Sequence, residues 1–241
     1  AYTLTEGLTY SGGVLTASTL YSGTLIDISE DHTISNVRTT ALSRGISIIR
    51  PIELSNDITA TIECMRKLGA NLTLEGDTLT VDGTNTFANK KVTLDCGESG
   101  STLRFLIPVA AAGGINATFI GHGKLPERPI GVLTDCLPLH GTECQTQGGL
   151  PLTIEGQLKS GTFSVAGNIS SQFITGLLLS LPLLSGDSRI VLTSPAQSVG
   201  YINMTLNVMR DFGVTVETTE DGWFITDDHS MNGLLFNGTK I

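Results

Sequence analysis

The sequence predicts an α+β fold in which three βαβαββ units pack about a pseudo-threefold axis, around buried parallel helices. Three observations point there. Segments "MRKLGANLTL", "LPLHGTECQT" and "VMRDFGVTVE" end alike, and their glycines are evenly spaced: from Gly69 to Gly141 is 141 − 69 = 72, and from Gly141 to Gly213 is 213 − 141 = 72. The eleven residues before each glycine, "ITATIECMRKL", "IGVLTDCLPLH" and "INMTLNVMRDF", align without gaps, and a fixed period marks an internal repeat. Between them lie runs such as "FITGLLLSLPLL", apolar on most sides and so suited to a central helix.

Taken in order, residues 1–22 are rich in Gly, Ser and Thr and fall outside the units, which run over about 23–83, 90–156 and 161–227. Each unit opens with a short strand, "GTLIDI", "KVTLDC" or "GTFSVA". A first helix follows, beginning near Ser35, Ser101 or Ser170. After a second strand comes the aligned helix, in which Ile58, Ile62, Met65 and Leu68 share one face. The glycine just past it is the usual left-handed stop. A β-rich pair closes the unit, as in "NLTLEGDTLTV" with its Gly-Asp turn.

Composition narrows the function. Hydrophobic residues are 40% and charged residues 15% of 241, enough for a sizeable core. A net charge of −9 argues against nucleic acid and anionic membrane as partners, while leaving room for a local cluster of anion-binding donors. Cys64, Cys96, Cys136 and Cys144 form no CxxC pair and no zinc-like spacing with histidine, so no metal site is expected. Reduced thiols in a cytoplasmic protein are the expectation. The apolar run Phe173–Leu184 contains Pro182 and falls short of the ~20 residues a membrane span needs.

If the three first helices are central and parallel, their starts share one end of the domain. Unpaired N–H groups and helix dipoles make that end an anion site. Ser170 and Ser171, at the head of the apolar run, then have two readings. They are N-caps, or they are hydroxyl donors to a phosphate or carboxylate.

Four stretches carry a resemblance: "LDCGESGSTLRFLIP" (94–108), "LPERPIGVL" (125–133), "ISSQFITGLLLSLPL" (169–183) and "SVGYINMTLNVM" (198–209). With them the chain resembles the enolpyruvyl transferases, and within them the 5-enolpyruvylshikimate-3-phosphate synthase branch. The resemblance implies one of two similar domains, each of three βαβαββ units. It implies a reaction, without cofactor or metal, that joins shikimate 3-phosphate to phosphoenolpyruvate and releases phosphate. It also implies site residues. Ser170, Ser171, Gln172, Ser198 and Tyr201 match positions that hold shikimate 3-phosphate. Arg128 matches the arginine on the phosphoenolpyruvate phosphate, for which a guanidinium fork is suited. Gly100 and Ser101 match the loop that approaches the same ligand. Plainer readings stand beside these: Arg128 pairing with Glu127 at the surface, Tyr201 packing in the core, Gly100 serving a turn, and Arg104 as a structural ion-pair partner.

The family's first helix start reads Lys-Ser-x-Ser-x-Arg, whereas this chain has "EDHTISNVRTTALSRG" (30–45). His32 replaces the lysine, Thr33 the serine, and the arginine is displaced to Arg38. Neutral histidine lacks the fixed charge an anion needs. Glu98 stands where many members have Asn. Family members are nearly twice this length, and their other half carries the catalytic carboxylates. The expectation is therefore a shikimate-3-phosphate-binding domain of an aromatic-amino-acid biosynthetic enzyme, inactive without the second domain, with residues 228–241 a crossover remnant. Phosphoenolpyruvate is expected to bind weakly or not at all, and a separate second domain is the expected protein partner. The alternative is a non-catalytic binding or interaction domain derived from the family.

Overall fold

The structure, a computed structural model, describes residues 46–212 and 214–226 and two short strand pairs near the termini. The first pair is β1 (Leu8–Ser11) with β2 (Val14–Ala17), antiparallel. The predicted strand "GTLIDI" and the helix near Ser35 lie outside the described residues, as does Gly213.

β3 (Ile46–Ile49) leads to α1 (Asn56–Lys67), β4 (Asn71–Glu75) and β5 (Thr78–Asp82). Ser55 caps α1, its Oγ accepting from Ile58 N at 3.2 Å, with Asp57 in the first turn and Arg66 and Lys67 in the last, where each suits the helix dipole. β5 pairs antiparallel with both β3 and β4.

The next stretch reads β6 (Lys91–Asp95), α2 (Gly100–Ala112), β7 (Asn116–Ile120), α3 (Gly131–Cys136), β8 (Thr142–Gln145) and β9 (Leu152–Gly156). Its sheet order is β6-β7-β9-β8, with β6 and β7 parallel and the other pairs antiparallel. The expected helix over 130–140 is shorter than the pattern suggested. Pro138 supplies no N–H, and the chain tightens into a 3-10 turn over Leu137–His140. The left-handed stop forms as expected: Gly141 has φ 88° and Gly69 has φ 107°.

The last stretch repeats that order: β10 (Thr162–Ala166), α4 (Ser171–Ser180), β11 (Ser188–Ser194), α5 (Val199–Asp211), β12 (Val216–Thr219) and β13 (Gly222–Ile225). The sheet runs β10-β11-β13-β12, again with its first pair parallel. β14 (Leu235–Phe236) and β15 (Thr239–Lys240) form the second short pair.

α2 and α4 are the centre of the core, as their all-round apolarity predicted. Leu103, Ile107 and Ala110 on α2 and Phe173, Ile174, Leu177 and Leu178 on α4 are fully buried. Gly176 makes their close approach possible: a Cβ there would overlap the backbone oxygen of Arg104 and stand 3.0 Å from Pro108 Cγ. No helix among the described residues is long and apolar enough to cross a membrane.

His140 ends the 3-10 turn and stacks on Phe163 of β10, ring centroids 3.8 Å apart. Burial pushes its pKa below the ordinary 6.5, and a backbone hydrogen bond with Thr162 only partly opposes this. The folded state therefore favours the neutral ring. This contribution to stability is complete above the unfolded value of 6.5 and is lost as pH falls from there toward the lower folded value. Melting temperature should drop between pH 7 and 5, and His140→Phe should flatten that part of the profile.

Candidate functional site

Parallel neighbours send the chain out at the same edge. β6 and β7 both deliver it to the carboxyl edge of their sheet, and so do β10 and β11. The four connections, 96–99, 121–130, 167–170 and 195–198, therefore open at strand carboxyl ends, where helix starts supply free N–H groups. They are tied in pairs. His122 N donates to Gly97 O at 2.7 Å, and Gln197 N donates to Gly167 O at 2.9 Å. Asp95 anchors the first pair, accepting from Gly97 N at 2.9 Å and pairing with His122 Nε2 at 2.8 Å. The Gly97 N–H, aided by His122 and opposed by burial, holds the Asp95 carboxyl below its ordinary range. The Glu98 carboxylate lies against Gly123 in the neighbouring loop.

Four residues from three segments converge beside the start of α2. A Cβ on Gly100 would lie 2.8 Å from Arg128 Nη1, 3.3 Å from Arg104 Nη1 and 3.7 Å from Gln172 Oε1. Arg104 Nη1 donates to Gln172 Oε1 at 2.6 Å, and Nη2 donates to Pro129 O at 3.3 Å. The Arg104 guanidinium carbon sits 5.0 Å from the centroid of the Phe173 ring. Burial, and secondarily the charge of Arg128, lower the Arg104 pKa. Among the described residues neither arginine has a carboxylate within ion-pair distance. The pairing of Arg128 with Glu127 is thereby set aside, and Arg104 finds no ion-pair partner among the described residues. What remains is two guanidinium groups brought close together with no balancing carboxylate among the described residues.

Ser170 caps α4: its Oγ accepts from Gln172 N at 3.3 Å. The Ser171 residue is only 7% exposed, yet its hydroxyl has no hydrogen-bond partner among the described residues. Ser101 lies in the first turn of α2, its Oγ 3.2 Å from Ser99 Oγ. The hydroxyls continue through Thr102, 2.8 Å from Ser99 Oγ, to Thr61 on α1 at 2.7 Å, tying α1 to the head of α2.

Ser198 stands before α5 with φ 54° and ψ 44°, left-handed for a non-glycine residue, and its side chain makes no capping bond. Such backbone strain is found where a site over-determines it. Tyr201 is 66% exposed, so it does not pack in the core. α4 and α5 are joined through Thr175 and Thr205, whose hydroxyls are 3.2 Å apart. Gly100, Arg128 and Gln172 are thus brought together, with Ser170 and Ser171 next in chain to Gln172. Ser198 and Tyr201 occupy the adjoining helix start. His32, Thr33 and Arg38 lie outside the described residues.

Arg104 was not among the residues expected at the site. The signal was present: a lone cation in "STLRFLIPVAAA", with Gly100 and Pro108 where a helical carboxylate partner would stand. The thiols offer no ready nucleophile. Burial raises Cys136 and Cys144 to about 11 each, and Cys96 is pushed up by its hydrogen bond with Cys64 and by burial. No group of three or more metal-ligating side chains occurs among the described residues.

The sequence model of one family, "EPSP synthase (3-phosphoshikimate 1-carboxyvinyltransferase)", matches residues 22–234. A 3-phosphoshikimate 1-carboxyvinyltransferase of Clostridium kluyveri is 45% identical over 186 residues, covering 77% of this chain and 44% of that protein. One from Clostridium perfringens is 42% identical over 207 residues, covering 85% and 49%. The chain therefore spans about half the length of the curated relatives it matches. A solved EPSP synthase from Acinetobacter baumannii has the same mixed α/β fold with a TM-score of 0.64, at 22% identity, over 76% of this chain and 42% of the other.

Proposed function

The chain belongs to the EPSP synthase family, transferases of the shikimate pathway, and from that premise we propose that its carboxyl-edge cluster recognises shikimate 3-phosphate. The carrying observation is the convergence of Gly100, Arg104, Arg128 and Gln172, with the Ser170–Ser171 helix start beside them. A phosphate monoester needs several donors and positive charge at close quarters. The start of α4 offers the positive end of a helix dipole and two hydroxyls, and Gln172 adds an amide. Ser198 and Tyr201, at the start of α5, face the polar remainder of the shikimate ring. Arg128, exposed and without a carboxylate partner among the described residues, takes the phosphate of phosphoenolpyruvate beside Gly100 and Ser101. By the resemblance, His32, Thr33 and Arg38 match substrate-binding positions of the family, and in this reading histidine in place of lysine weakens phosphoenolpyruvate binding.

The proposal extends to architecture. The shared strand order of the two four-stranded sheets, and the matching β3-β5-β4 set, support three units about a pseudo-threefold axis. In this reading the units run over about 23–83, 90–156 and 161–227, with 1–22 outside them and 228–241 a crossover remnant. Joining the two substrates calls for groups that move protons within hydrogen-bond reach. In this reading those groups belong to the part of the relatives beyond the match, and the 241 residues bind without turning over.

Calorimetric titration of the 241-residue chain with shikimate 3-phosphate tests the reading. Saturable one-to-one binding is expected, with unphosphorylated shikimate binding at least tenfold more weakly for want of the charged contacts. Equal affinity for the two, or no heat with folded protein, would overturn it.

A further inference from the structure

Arg104 has an unusual place for a cation. It is 8% exposed, on a central helix, and its Nε is buried with no partner among the described residues. Its two charged hydrogen bonds go to neutral oxygens, Gln172 Oε1 and Pro129 O. A fold seeking stability alone would place an apolar residue here, since a buried unpaired charge is costly. The arginine must do something an apolar side chain cannot.

Its effect on Gln172 follows from donor chemistry. A guanidinium has five donors and no acceptor, so the amide atom facing it has to be oxygen. Which end of a glutamine points where is otherwise an open question of network. Here Arg104 settles it: with Oε1 turned to Arg104, the Nε2 amino group faces the other way. Nε2 has no partner among the described residues, and the side chain is partly exposed. Pro129 is the second contact. It directly follows Arg128, so the same guanidinium bonds the backbone beside that arginine.

We propose that Arg104 is a positioning residue that locks the Gln172 amide with its N–H donors toward the ligand. Gln172 thereby becomes a committed donor, matched to phosphate or hydroxyl oxygens and mismatched to ligand donors. Arg104 touches no ligand itself. It acts through Gln172, and through Pro129 it steadies the Arg128 backbone. This rests on the proposal that the cluster binds shikimate 3-phosphate.

The test is a double-mutant cycle on the affinity of the 241-residue chain for shikimate 3-phosphate. Arg104→Met and Gln172→Ala should each weaken binding roughly tenfold, the scale of one charge-assisted contact. The double variant should be no weaker than Gln172→Ala alone, because an unlocked glutamine and an absent one are alike to Arg104. Arg104→Lys, which keeps a donor for Oε1, should recover part of the loss. If Arg104→Met does not fold, Arg104→Lys takes its place in the cycle. Additive losses would overturn the proposal.

A ligand-free readout separates this from the binding proposal. In spectra of ¹⁵N-labelled protein, the two Gln172 side-chain amide protons should be well separated and displaced from free-amide positions, because Oε1 is held by Arg104. Arg104→Met should move them toward free-amide positions. Unchanged signals would overturn the locking role whether or not the wild type binds shikimate 3-phosphate. Shifted signals in a protein that binds nothing would uphold it and sink the substrate assignment instead.

Discussion

Gly176→Ala should lower stability by about 2 kcal/mol, although alanine is the better helix former. The propensity gain is about 1 kcal/mol. Against it stands the methyl group's overlap with the backbone oxygen of Arg104, and its contact with Pro108 Cγ at 3.0 Å. The overlapped atom is backbone in the centre of α2, so it cannot swing aside as a side-chain tip would. Overpacking of this kind typically costs about 1–3 kcal/mol, and a backbone clash lies at the top of that range. Pro108 explains why this oxygen is where two helices meet. Lacking an N–H, it leaves the carbonyl of Arg104 without its intrahelical partner, and only glycine lets α4 come close over it. A thermal melt checks this, with a fall of about 4–8 °C expected for a domain of this size. Gly200→Ala is the control: a Cβ there meets nothing within 4 Å, so it should raise the melting temperature slightly. A rise for Gly176→Ala as well would mean that α2 and α4 do not meet as closely as described.

Ser170→Ala with Ser171→Ala should lower affinity for shikimate 3-phosphate about a hundredfold or more. Two hydroxyl bonds to a charged phosphate contribute roughly 1.5–3 kcal/mol each. The single changes separate structure from binding. Ser170 is the α4 cap, through its bond from Gln172 N, so Ser170→Ala should cost about 1 kcal/mol of stability. The Ser171 hydroxyl has no hydrogen bond among the described residues, so Ser171→Ala should leave stability nearly unchanged while still weakening binding. A Ser171→Ala protein that binds as the wild type does would remove that hydroxyl from the site. The cap and donor readings of the sequence are therefore not exclusive for Ser170, and the donor reading is the stronger one for Ser171.

Much of the local structure was legible because it depends on near neighbours in sequence. The left-handed stops at Gly69 and Gly141, the two-residue turn between Glu75 and Thr78, and the helix start at Ser170 are fixed by residues a few positions apart. The burial of α2 and α4 follows from their all-round apolarity. The bond between Arg104 and Gln172 was not legible, because it joins residues 68 apart and depends on how two helices cross. The shortening of α3 shows the limit of pattern alone. The repeat alignment extended one helix over 130–140, and the missing N–H of Pro138 decided otherwise. Of the proposed site, resemblance pointed to Ser170, Ser171, Gln172 and Arg128, and geometry added the buried cation bonded to Gln172.

The most direct test of the central claim is to follow backbone amide signals of ¹⁵N-labelled protein as shikimate 3-phosphate is added. If the carboxyl-edge cluster is the phosphate site, the largest shifts fall on Ser171 and Gln172 at the start of α4. Gly100 and Ser101 shift less, and residues at the far ends of the same helices, such as Ser180 and Ala112, stay still. Shifts confined to other parts of the fold, or none at saturating ligand, would contradict the account.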